Sequence, residues 1–231
     1  MKDINKIING DCFTHLETLP DDSFDLCLTD IPYGVDNAPD FTYGRRKSPD
    51  KITHGRKSIE MINNDFIPIP EMVQLLSKKA FSCYIFCGWV QFSDICKEFK
   101  KCGMTTRIVV WEKTNPLPTH SSVMWLCGVE LCVYARRKGS TFNSKYRNSI
   151  LRYPVDSSNR IHPTQKSLKL FTDIVETSSP VGGTVLDPFA GSGTTAIAAL
   201  NTGRNFLCIE KDKKHFQLAE KRIFKAMKGE K

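Results

Sequence analysis

Thr184-Val185-Leu186-Asp187-Pro188-Phe189-Ala190-Gly191-Ser192-Gly193-Thr194-Thr195 is the stretch that decides the fold of this chain. A short apolar run ends in an acid, crosses a glycine-rich turn and enters an Ala- and Leu-rich segment that extends to Leu200. This order predicts a strand, a tight turn and a helix, which is the usual arrangement of a nucleotide-type cofactor site. The glycines permit left-handed backbone angles and the close approach of a ligand to the main chain.

Two kinds of cofactor are compatible with this loop, and an ordinary glycine turn is the alternative. Gly191-x-Gly193-x-x-Ala196 fits a dinucleotide fingerprint, with Glu210 downstream as a ribose ligand. Asp187, however, stands at the strand end, where a pyrophosphate would otherwise bind, and a carboxylate there repels phosphate. The acid suits a ligand that carries an ammonium group, such as the methionine part of S-adenosylmethionine.

The composition is that of one soluble globular domain. The chain has 231 residues, of which 40% are hydrophobic and 25% charged, and this is enough for a substantial core. Its apolar runs are too short to span a membrane, and residues 1–6 lack the apolar core of a signal peptide, so we expect a cytoplasmic protein. Nine cysteines are scattered without a Cys-x-x-Cys pair, which predicts reduced core thiols and no metal site.

The charge balance points to a polyanionic partner. Lys and Arg exceed Asp and Glu by 33 to 25, which gives a formal net charge of +8. Part of the excess lies in the C-terminal segment 211–228, where a solvated helix face is the simpler explanation.

Alternating helical and strand-like segments predict the fold class. Apolar and β-branched runs predict seven strands, at residues 6–11, 24–29, 83–87, 107–111, 129–135, 184–187 and 205–209. With the intervening helices they indicate a doubly wound, Rossmann-like α/β fold, a mostly parallel sheet with helices on both faces. Residues 1–231 form one domain, and two polar, basic and irregular segments, about 34–65 and 139–161, are long enough to be functional or disordered.

Four acids follow the ends of predicted strands. They are Asp11, Asp30, Asp187 and Glu210. In doubly wound sheets, ligands bind beyond the carboxyl ends of the strands. We therefore expect these four side chains to share one site at one edge of the sheet.

The tetrapeptide Asp30-Ile31-Pro32-Tyr33 combines a hydrogen-bond acceptor, a restrained backbone and an aromatic ring. Pro32 holds Ile31 extended, so that the Ile31 carbonyl can point outward beside the Asp30 carboxylate. Two neighbouring acceptors match the two N–H donors of an exocyclic amine, and Tyr33 can stack on the ring that carries the amine. A strand-to-turn connection with an Asp turn residue and a core Tyr is the alternative.

Four motifs together resemble those of the DNA amino methyltransferases that methylate adenine N6 or cytosine N4. The resemblance covers most of the chain, and more narrowly it is to the permuted, beta-class group, in which the catalytic motif precedes the cofactor motif. Asp30-Ile31-Pro32-Tyr33 is similar to the family's catalytic Asp-Pro-Pro-Tyr. The other three motifs match a segment that lines the target-base pocket, the segment before the cofactor helix and the cofactor loop: Trp111-Glu112-Lys113-Thr114-Asn115-Pro116-Leu117-Pro118, His162-Pro163-Thr164-Gln165-Lys166-Ser167 and residues 187–195.

The resemblance implies S-adenosylmethionine as the cofactor and assigns residues to it. Glu210 would bind the ribose hydroxyls, and Asp11 the cofactor adenine, with Cys12 packed near that ring. Lys166, with Thr164 and Gln165, would close over the methionine carboxylate. The residues that would hold the methionine part and the sulfonium region are Asp187, Phe189, Ala190, Gly191, Ser192, Gly193, Thr194 and Thr195, with Asp30 shared between the cofactor and the catalytic set.

The same resemblance implies that Asp30, Ile31, Pro32 and Tyr33 are the catalytic residues. Ile31 replaces the first proline of the family motif. The contact made from that position is a main-chain carbonyl, which isoleucine keeps, so we expect activity to survive. Hydrogen bonds from the amine to Asp30 and to the Ile31 carbonyl would turn the nitrogen lone pair toward the methyl group, which is catalysis by positioning and electrostatics.

Double-stranded DNA is the implied partner. The target base must be flipped out of the duplex, with Tyr33 as a stacking surface, and the basic segments would supply phosphate contacts. Each basic residue is as readily a solvated surface charge, and Trp111 can equally be a core residue. The expected DNA-contacting residues are Arg45, Arg46, Lys47, Arg56, Lys57, Trp111, Asn115, Arg147 and Arg152.

The expected function is site-specific methylation of the N6 amino group of a flipped-out adenine in duplex DNA. Asp30 favours adenine, because cytosine enzymes of the family more often carry Ser at that position. Methylation of cytosine N4 or of RNA, and a catalytically inactive DNA-binding relative, are the alternatives. A nicotinamide dehydrogenase is disfavoured by Asp187 and by the tetrapeptide. A homodimer and a cognate restriction endonuclease are open as partners.

Overall fold

The computed structural model describes residues 4–33, 67–116, 125–145, 147–156 and 166–229. The strands are β1 (Lys6–Asn9), β2 (Phe24–Asp30), β3 (Ala80–Cys87), β4 (Thr105–Lys113), β5 (Val129–Arg136), β6 (Ile150–Tyr153), β7 (Thr184–Asp187) and β8 (Asn205–Glu210). The helices are α1 (Cys12–Thr18), α2 (Ile69–Lys79), α3 (Trp89–Lys101), α4 (Leu168–Ser178), α5 (Thr194–Asn201) and α6 (Lys213–Met227).

All of these strands form one sheet in the order β1-β8-β7-β2-β3-β5-β4-β6. Strands β1, β8, β7, β2 and β3 are parallel to one another, whereas β5 runs antiparallel to both β3 and β4. The predicted mostly parallel sheet is therefore confirmed. We call the edge at which β1, β8, β7, β2 and β3 end the carboxyl edge of the sheet.

The prediction of seven strands was wrong, because the described part of the chain contains an eighth, β6, within the segment 139–161 that was expected to be irregular. This strand has four residues and pairs parallel with β4, with Trp111 opposite Leu151. Only Leu151 is buried among them. A single buried side chain between exposed neighbours gives too short a pattern for periodicity to reveal a strand.

Helices cover both faces of the sheet, as predicted for a doubly wound fold. On one face the core contains α1, α2 and α3, represented by Leu16, Leu76 and Phe99. On the other face it contains α4, α5 and α6, represented by Phe171 and Ala198 as well as Ile223 of α6. Alternate strand residues therefore face different cores, as the period of two in a strand requires.

None of the described helices is long and apolar enough to cross a membrane. Among the residues that the structure describes, no cluster of three or more His, Cys, Asp or Glu side chains could hold a metal ion.

Candidate active site

The four predicted acids lie at the carboxyl edge. β7 pairs with β2, which places the strand ends at Asp187 and Asp30 next to each other. β8, which ends at Glu210, pairs with β7 on its other side, and Asp11 follows β1, the neighbour of β8. The sheet order therefore brings all four strand ends together, as the sequence predicts.

Asp187 is a buried carboxylate that joins three elements. Its side chain accepts hydrogen bonds from the hydroxyl of Thr29 at 2.7 Å, the hydroxyl of Thr195 at 2.6 Å and the backbone N–H of Phe189 at 3.1 Å. Thr29 belongs to β2 and Thr195 to α5, so the acid holds the cofactor loop against the strand of Asp30. Burial raises the pKa of Asp187 from 3.8 to about 6, although the hydrogen bonds oppose the shift.

Asp187→Asn is expected to gain stability relative to the native chain as the pH rises through the range from about 4 to about 6. In that window the folded carboxyl group, with its raised pKa, binds more protons than the unfolded one, so the free energy of unfolding falls as pH rises. Asparagine does not titrate in this range. The Thr195 hydroxyl can accept a hydrogen bond from the asparagine amide while it donates one to the Leu28 carbonyl at 3.2 Å.

Because the pKa of Asp187 is raised to about 6, the difference in free energy of unfolding between the two proteins should change by up to about 3 kcal/mol over this pH range. Urea unfolding of both proteins at pH 4 and pH 7.5 measures this change. A stability difference that is the same at both pH values would contradict the prediction.

The glycine loop has the backbone conformation that the sequence predicts. Gly191 and Gly193 have positive φ angles of 51° and 75°. A Cβ atom on Gly191 would meet nothing within 4 Å, so open space lies beside the main chain there, whereas Gly193 packs against Ile223. Gly191 donates its N–H to Glu210 Oε2 at 2.7 Å, which links the loop to the end of β8.

The rest of the loop packs against the final helix. Ser192 and Thr194 are buried and their hydroxyls lie 3.1 Å apart. Arg222 of α6 donates to the Ser192 carbonyl at 3.0 Å and to the Thr194 hydroxyl at 3.2 Å. The sequence interpretation treated Arg222 as part of a solvated basic face, and the structure shows that this guanidinium holds the loop.

Glu210 lies beside the loop, whereas Asp11 and Cys12 follow the neighbouring strand β1. Glu210 also accepts from the N–H of Asp212 at 2.8 Å, and burial raises the pKa of its carboxyl group. Asp11 caps α1 by accepting from the N–H of Phe13 at 3.0 Å. Cys12 is buried, which raises the pKa of its thiol to about 12 and keeps it neutral.

The tetrapeptide at residues 30–33 is tied to the beginning of α3. The N–H of Ile31 donates to the Phe86 carbonyl at 3.1 Å, which continues the pairing of β2 with β3. Gln91 donates from Nε2 to the Pro32 carbonyl at 2.9 Å and accepts the N–H of Gly88 at 2.9 Å. Ile31 is buried, so its side chain packs in the core. Although isoleucine stands where the family has proline, the backbone stays extended here because Ile31 pairs with β3.

Asp30 lies at one end of a row of side chains with alternating charges. Lys166 Nζ lies 2.8 Å from Asp30 Oδ2 and 2.7 Å from Glu130 Oε2, and Glu130 Oε1 lies 2.8 Å from Lys113 Nζ. The hydroxyl of Tyr33 lies 3.0 Å from Lys166 Nζ and donates to Glu130 Oε2 at 3.0 Å. Within the described residues, Asp30 Oδ1 is a buried atom without a hydrogen-bond partner.

Burial and neighbouring charges act on the protonation states in this cluster. Burial raises the pKa of Asp30, and the Lys166 ammonium opposes that shift. The carboxylates of Asp30 and Glu130 raise the pKa of Lys166, which therefore stays protonated at neutral pH. The two lysines around Glu130 lower the pKa of its carboxyl group despite its burial.

Glu130 and Lys113 were missed in the sequence interpretation, which searched for acids only at the ends of strands. β5 is antiparallel, so its beginning, not its end, lies at the carboxyl edge, and Glu130 is its second residue. An acid at the start of a buried apolar strand is the signal that could have identified it. Lys113, the last residue of β4, lies at the same edge, because β4 is parallel to β3.

Lys166 lies against Asp30, whereas the resemblance implied a contact with the methionine carboxylate. Its ammonium group has three donors and three acceptor neighbours within 3.0 Å: Asp30, Glu130 and Tyr33. The neighbouring Thr164 and Gln165 lie outside the described residues.

Two residues expected to shape the target pocket have internal partners. Trp111 is 1% exposed and donates its indole N–H to the Tyr153 carbonyl at 2.8 Å, which matches its interpretation as a core residue and not a direct contact with DNA. Asn115 binds the backbone of Val155 at both ends of its amide, at 2.6 and 3.1 Å. It therefore fastens the end of β4 to the segment after β6.

The described arginines expected to contact DNA each have an acidic neighbour. Arg147 forms an ion pair with Asp173 of α4 and donates to the Thr177 hydroxyl at 2.6 Å. Arg152 lies 3.0 Å from Glu112, and both side chains are largely exposed. The other basic residues expected to contact DNA, Arg45, Arg46, Lys47, Arg56 and Lys57, lie outside the described residues.

Comparison with known proteins shows similarity to DNA methylases. A family model described as DNA methylase, N6_N4_Mtase, matches residues 131–221. The type II methyltransferase M.HinfI of Haemophilus influenzae is 26% identical over 95% of this chain and 68% of its own length. The putative methylase YubD of Escherichia coli (strain K12) is 29% identical over 95% of this chain and 90% of its own.

Solved structures agree with the sequence relatives. The crystal structure of the M1.HpyAVI–SAM complex superposes with a TM-score of 0.69 at 26% identity, covering 94% of this chain and 98% of the other. Its fold is the Rossmann-like fold described above. These similarities over most of the chain support its interpretation as an S-adenosylmethionine-dependent DNA amino methyltransferase of the N6-adenine/N4-cytosine family.

Proposed function

We propose that this protein transfers a methyl group from S-adenosylmethionine to the N6 amino group of a flipped-out adenine in duplex DNA. The observation that carries the proposal is Asp30 Oδ1, a buried carboxylate oxygen without a hydrogen-bond partner in the described structure. Leaving a buried acceptor unpaired costs about 1–3 kcal/mol, so a substrate donor is its natural partner. An exocyclic amine supplies such a donor.

The carboxyl edge fits the cofactor. Open space beside the main chain at Gly191 accommodates a ligand that approaches the backbone closely. Glu210 keeps acceptor capacity for ribose hydroxyls, since each carboxylate oxygen accepts more than one hydrogen bond and its two oxygens have one backbone donor each. Asp187, with both oxygens bound internally, supports the loop and adds negative potential for the methionine ammonium group.

The residues of this chain position the amine, and the cofactor carries the chemistry. When bound, S-adenosylmethionine supplies a sulfonium-bound methyl group: a nitrogen–carbon bond forms as the carbon–sulfur bond breaks toward sulfur, and one amine proton is released to solvent. Asp30 Oδ1 would accept one N–H and so fix the nitrogen lone pair toward the strand of Asp187. The Tyr33 ring, held by its hydroxyl bond to Glu130, would stack on the base. These effects are positioning and electrostatics.

Adenine is the proposed base because Asp30 occupies the first position of the catalytic motif. Asp30 is the stronger acceptor while it is ionised, and Lys166 at 2.8 Å favours that form. Cytosine N4 presents the same type of amine and is the alternative outcome of the experiment below.

DNA is the proposed substrate, and the segments at about 34–65 and 139–161 are its proposed contact regions. The net charge of +8 supports a polyanionic substrate. Two apolar side chains at the start of α3 support a contact with bases: Trp89 is 81% exposed and Val90 is 54% exposed. The preceding Gly88 packs against the Tyr33 backbone, so Trp89 stands beside the proposed base pocket.

Trp89→Ala is expected to slow methylation of a fully paired duplex by about 10- to 100-fold, because an aromatic contact with a base is worth about 1–3 kcal/mol. Placing the target base opposite an abasic site removes most of the cost of extrusion, so this substrate should restore the rate. Steady-state methylation of both duplexes measures the effect. Val181→Ala, at an exposed apolar residue before β7, is the control and should change neither rate.

Mass spectrometry of digested DNA tests the proposed function. Unmethylated DNA is incubated with purified protein and S-adenosylmethionine, beside an Asp30→Ala control. N6-methyladenine that is absent from the control supports the proposal. N4-methylcytosine would overturn the assignment of adenine as the target base and leave the mechanism unchanged. Cofactor binding without any methylated base would indicate RNA substrates or a binding role.

A further inference from the structure

Glu130 lies at the centre of the charged cluster, and the proposed transfer so far uses only its hydrogen bond to the Tyr33 hydroxyl. Its Oε2 atom is 2.7 Å from Lys166 and accepts the Tyr33 hydroxyl at 3.0 Å, while Oε1 is 2.8 Å from Lys113. The side chain is only 15% exposed. One acid of β5 therefore fixes both the aromatic ring and the lysine that contacts Asp30.

Lys166 determines which oxygen of Asp30 is left for a substrate. Its ammonium group holds Oδ2 at 2.8 Å, and Oδ1 stays without a partner among the described residues. The ammonium group cannot turn freely, because Glu130 and Tyr33 take its other two donors. The orientation of Asp30 is thus set by a residue that does not touch the reacting atoms.

We propose that Glu130 and Lys166 are positioning residues that hold Asp30 ionised and leave its Oδ1 atom for the target amine. This inference rests on the proposed function and deepens it. Lys166 supplies the favourable charge and the geometry, and Glu130 restrains Lys166 so that its ammonium group is shared between two carboxylates. Lys113 balances the second carboxylate, so that the four charged groups sum to zero.

Charged and titratable groups face Asp30 from every neighbouring element. Lys166 and Glu130 are the nearest charges, and Tyr33 donates to the same cluster. Asp187 acts on it from β7 as a like charge, and the thiols of Cys87 on β3 and Cys132 on β5 are neutral because burial raises their pKa. Of these groups, Lys166 is the cation that favours the ionised form of Asp30, and Glu130 is an anion that disfavours it.

The two positioning residues therefore have opposite effects on the pH dependence of catalysis. Removing the cation in Lys166→Met raises the pKa of Asp30, so the acid limb of the kcat profile should move up by about 1 pH unit or more. Removing the anion in Glu130→Gln lowers the pKa of Asp30, so the same limb should move down. At a pH below the native acid limb, such a shift lowers the kcat of Lys166→Met by about tenfold relative to the native protein. The KM for S-adenosylmethionine should stay within about twofold in both variants.

Two further variants separate positioning from folding. Lys166→Arg keeps the charge and should return the acid limb to its native pH. Lys79→Met is the matched control, because Lys79 has the same 7% side-chain exposure as Lys166 and pairs with Asp21 at 2.7 Å, away from the site. The substitution Lys79→Met should lower the stability of the protein without moving the acid limb of the kcat profile.

A readout without DNA completes the test. Carboxyl-carbon NMR of ¹³C-aspartate-labelled protein, with the Asp30 signal assigned by Asp30→Asn, follows the titration directly. Opposite shifts of that signal in Lys166→Met and Glu130→Gln support the proposal, whatever base is methylated. An Asp30 titration that is unchanged in both variants overturns it, as does a shift of equal size in Lys79→Met. A native protein that methylates no DNA would overturn the proposed function alone.

Discussion

Asp30→Ala is expected to lower the rate of methyl transfer by about 10³-fold or more while the protein still binds S-adenosylmethionine. The substitution removes the acceptor whose Oδ1 atom has no partner among the described residues, and with it the orientation of the amine. It also leaves Lys166 beside Glu130 alone, so a cation faces the place of the amine. Single-turnover methylation with saturating cofactor measures the rate, and calorimetry measures cofactor binding.

Asp25→Ala is the control for this loss. Asp25 lies on the same strand near its other end and accepts the N–H of Thr184 at 2.8 Å. Its removal should reduce stability and leave the single-turnover rate within about threefold of the native value. Equal losses of rate in the two variants would show that the effect of Asp30→Ala is structural.

Gly193→Val is expected to weaken cofactor binding by about 100-fold and to lower the free energy of unfolding by about 2–4 kcal/mol. Gly193 has a φ angle of 75°, a conformation that a β-branched residue adopts only with strain. A Cβ atom there would lie 3.1 Å from Ile223 Cδ1, so the Ile223 side chain would have to move and its packing against the loop would be disturbed. Calorimetry with S-adenosylmethionine and urea unfolding measure the two effects.

Gly203→Val separates backbone strain from the site. Gly203 has a φ angle of 69°, and the nearest atom to its Cβ position, Val181 Cγ1, is 3.8 Å away. This variant should lose stability through strain alone and bind the cofactor normally. Normal cofactor binding by Gly193→Val would contradict the role of the loop.

The sequence was sufficient to predict the elements that have a clear apolar pattern or glycines at their ends. The strand at Thr184–Asp187, the turn through Gly193 and the helix from Thr194 follow from an apolar run, a glycine pair and an alanine-rich stretch. The neighbouring positions of Asp30 and Asp187 also followed, because acids at the ends of parallel strands meet at one edge.

The parts that the sequence did not predict depend on strand direction and on long-range pairing. Glu130 belongs to the site only because β5 runs antiparallel, and nothing local marks the direction of a strand. β6 exists because β4 offers a free edge, and its four residues have little strand pattern of their own. Lys166 is the end of a motif, yet its contact with Asp30 joins residues far apart in the chain.

The attachment of the tetrapeptide to α3 and β5 makes recognition separable from chemistry. Gln91 holds the Pro32 carbonyl and Glu130 holds the Tyr33 hydroxyl, so the proposed catalytic residues are anchored before the chain continues at Gly34. The segment that follows can change in length or sequence without displacing them. Enzymes with new recognition sequences could therefore arise, or be built by grafting, from exchanges confined to that insertion.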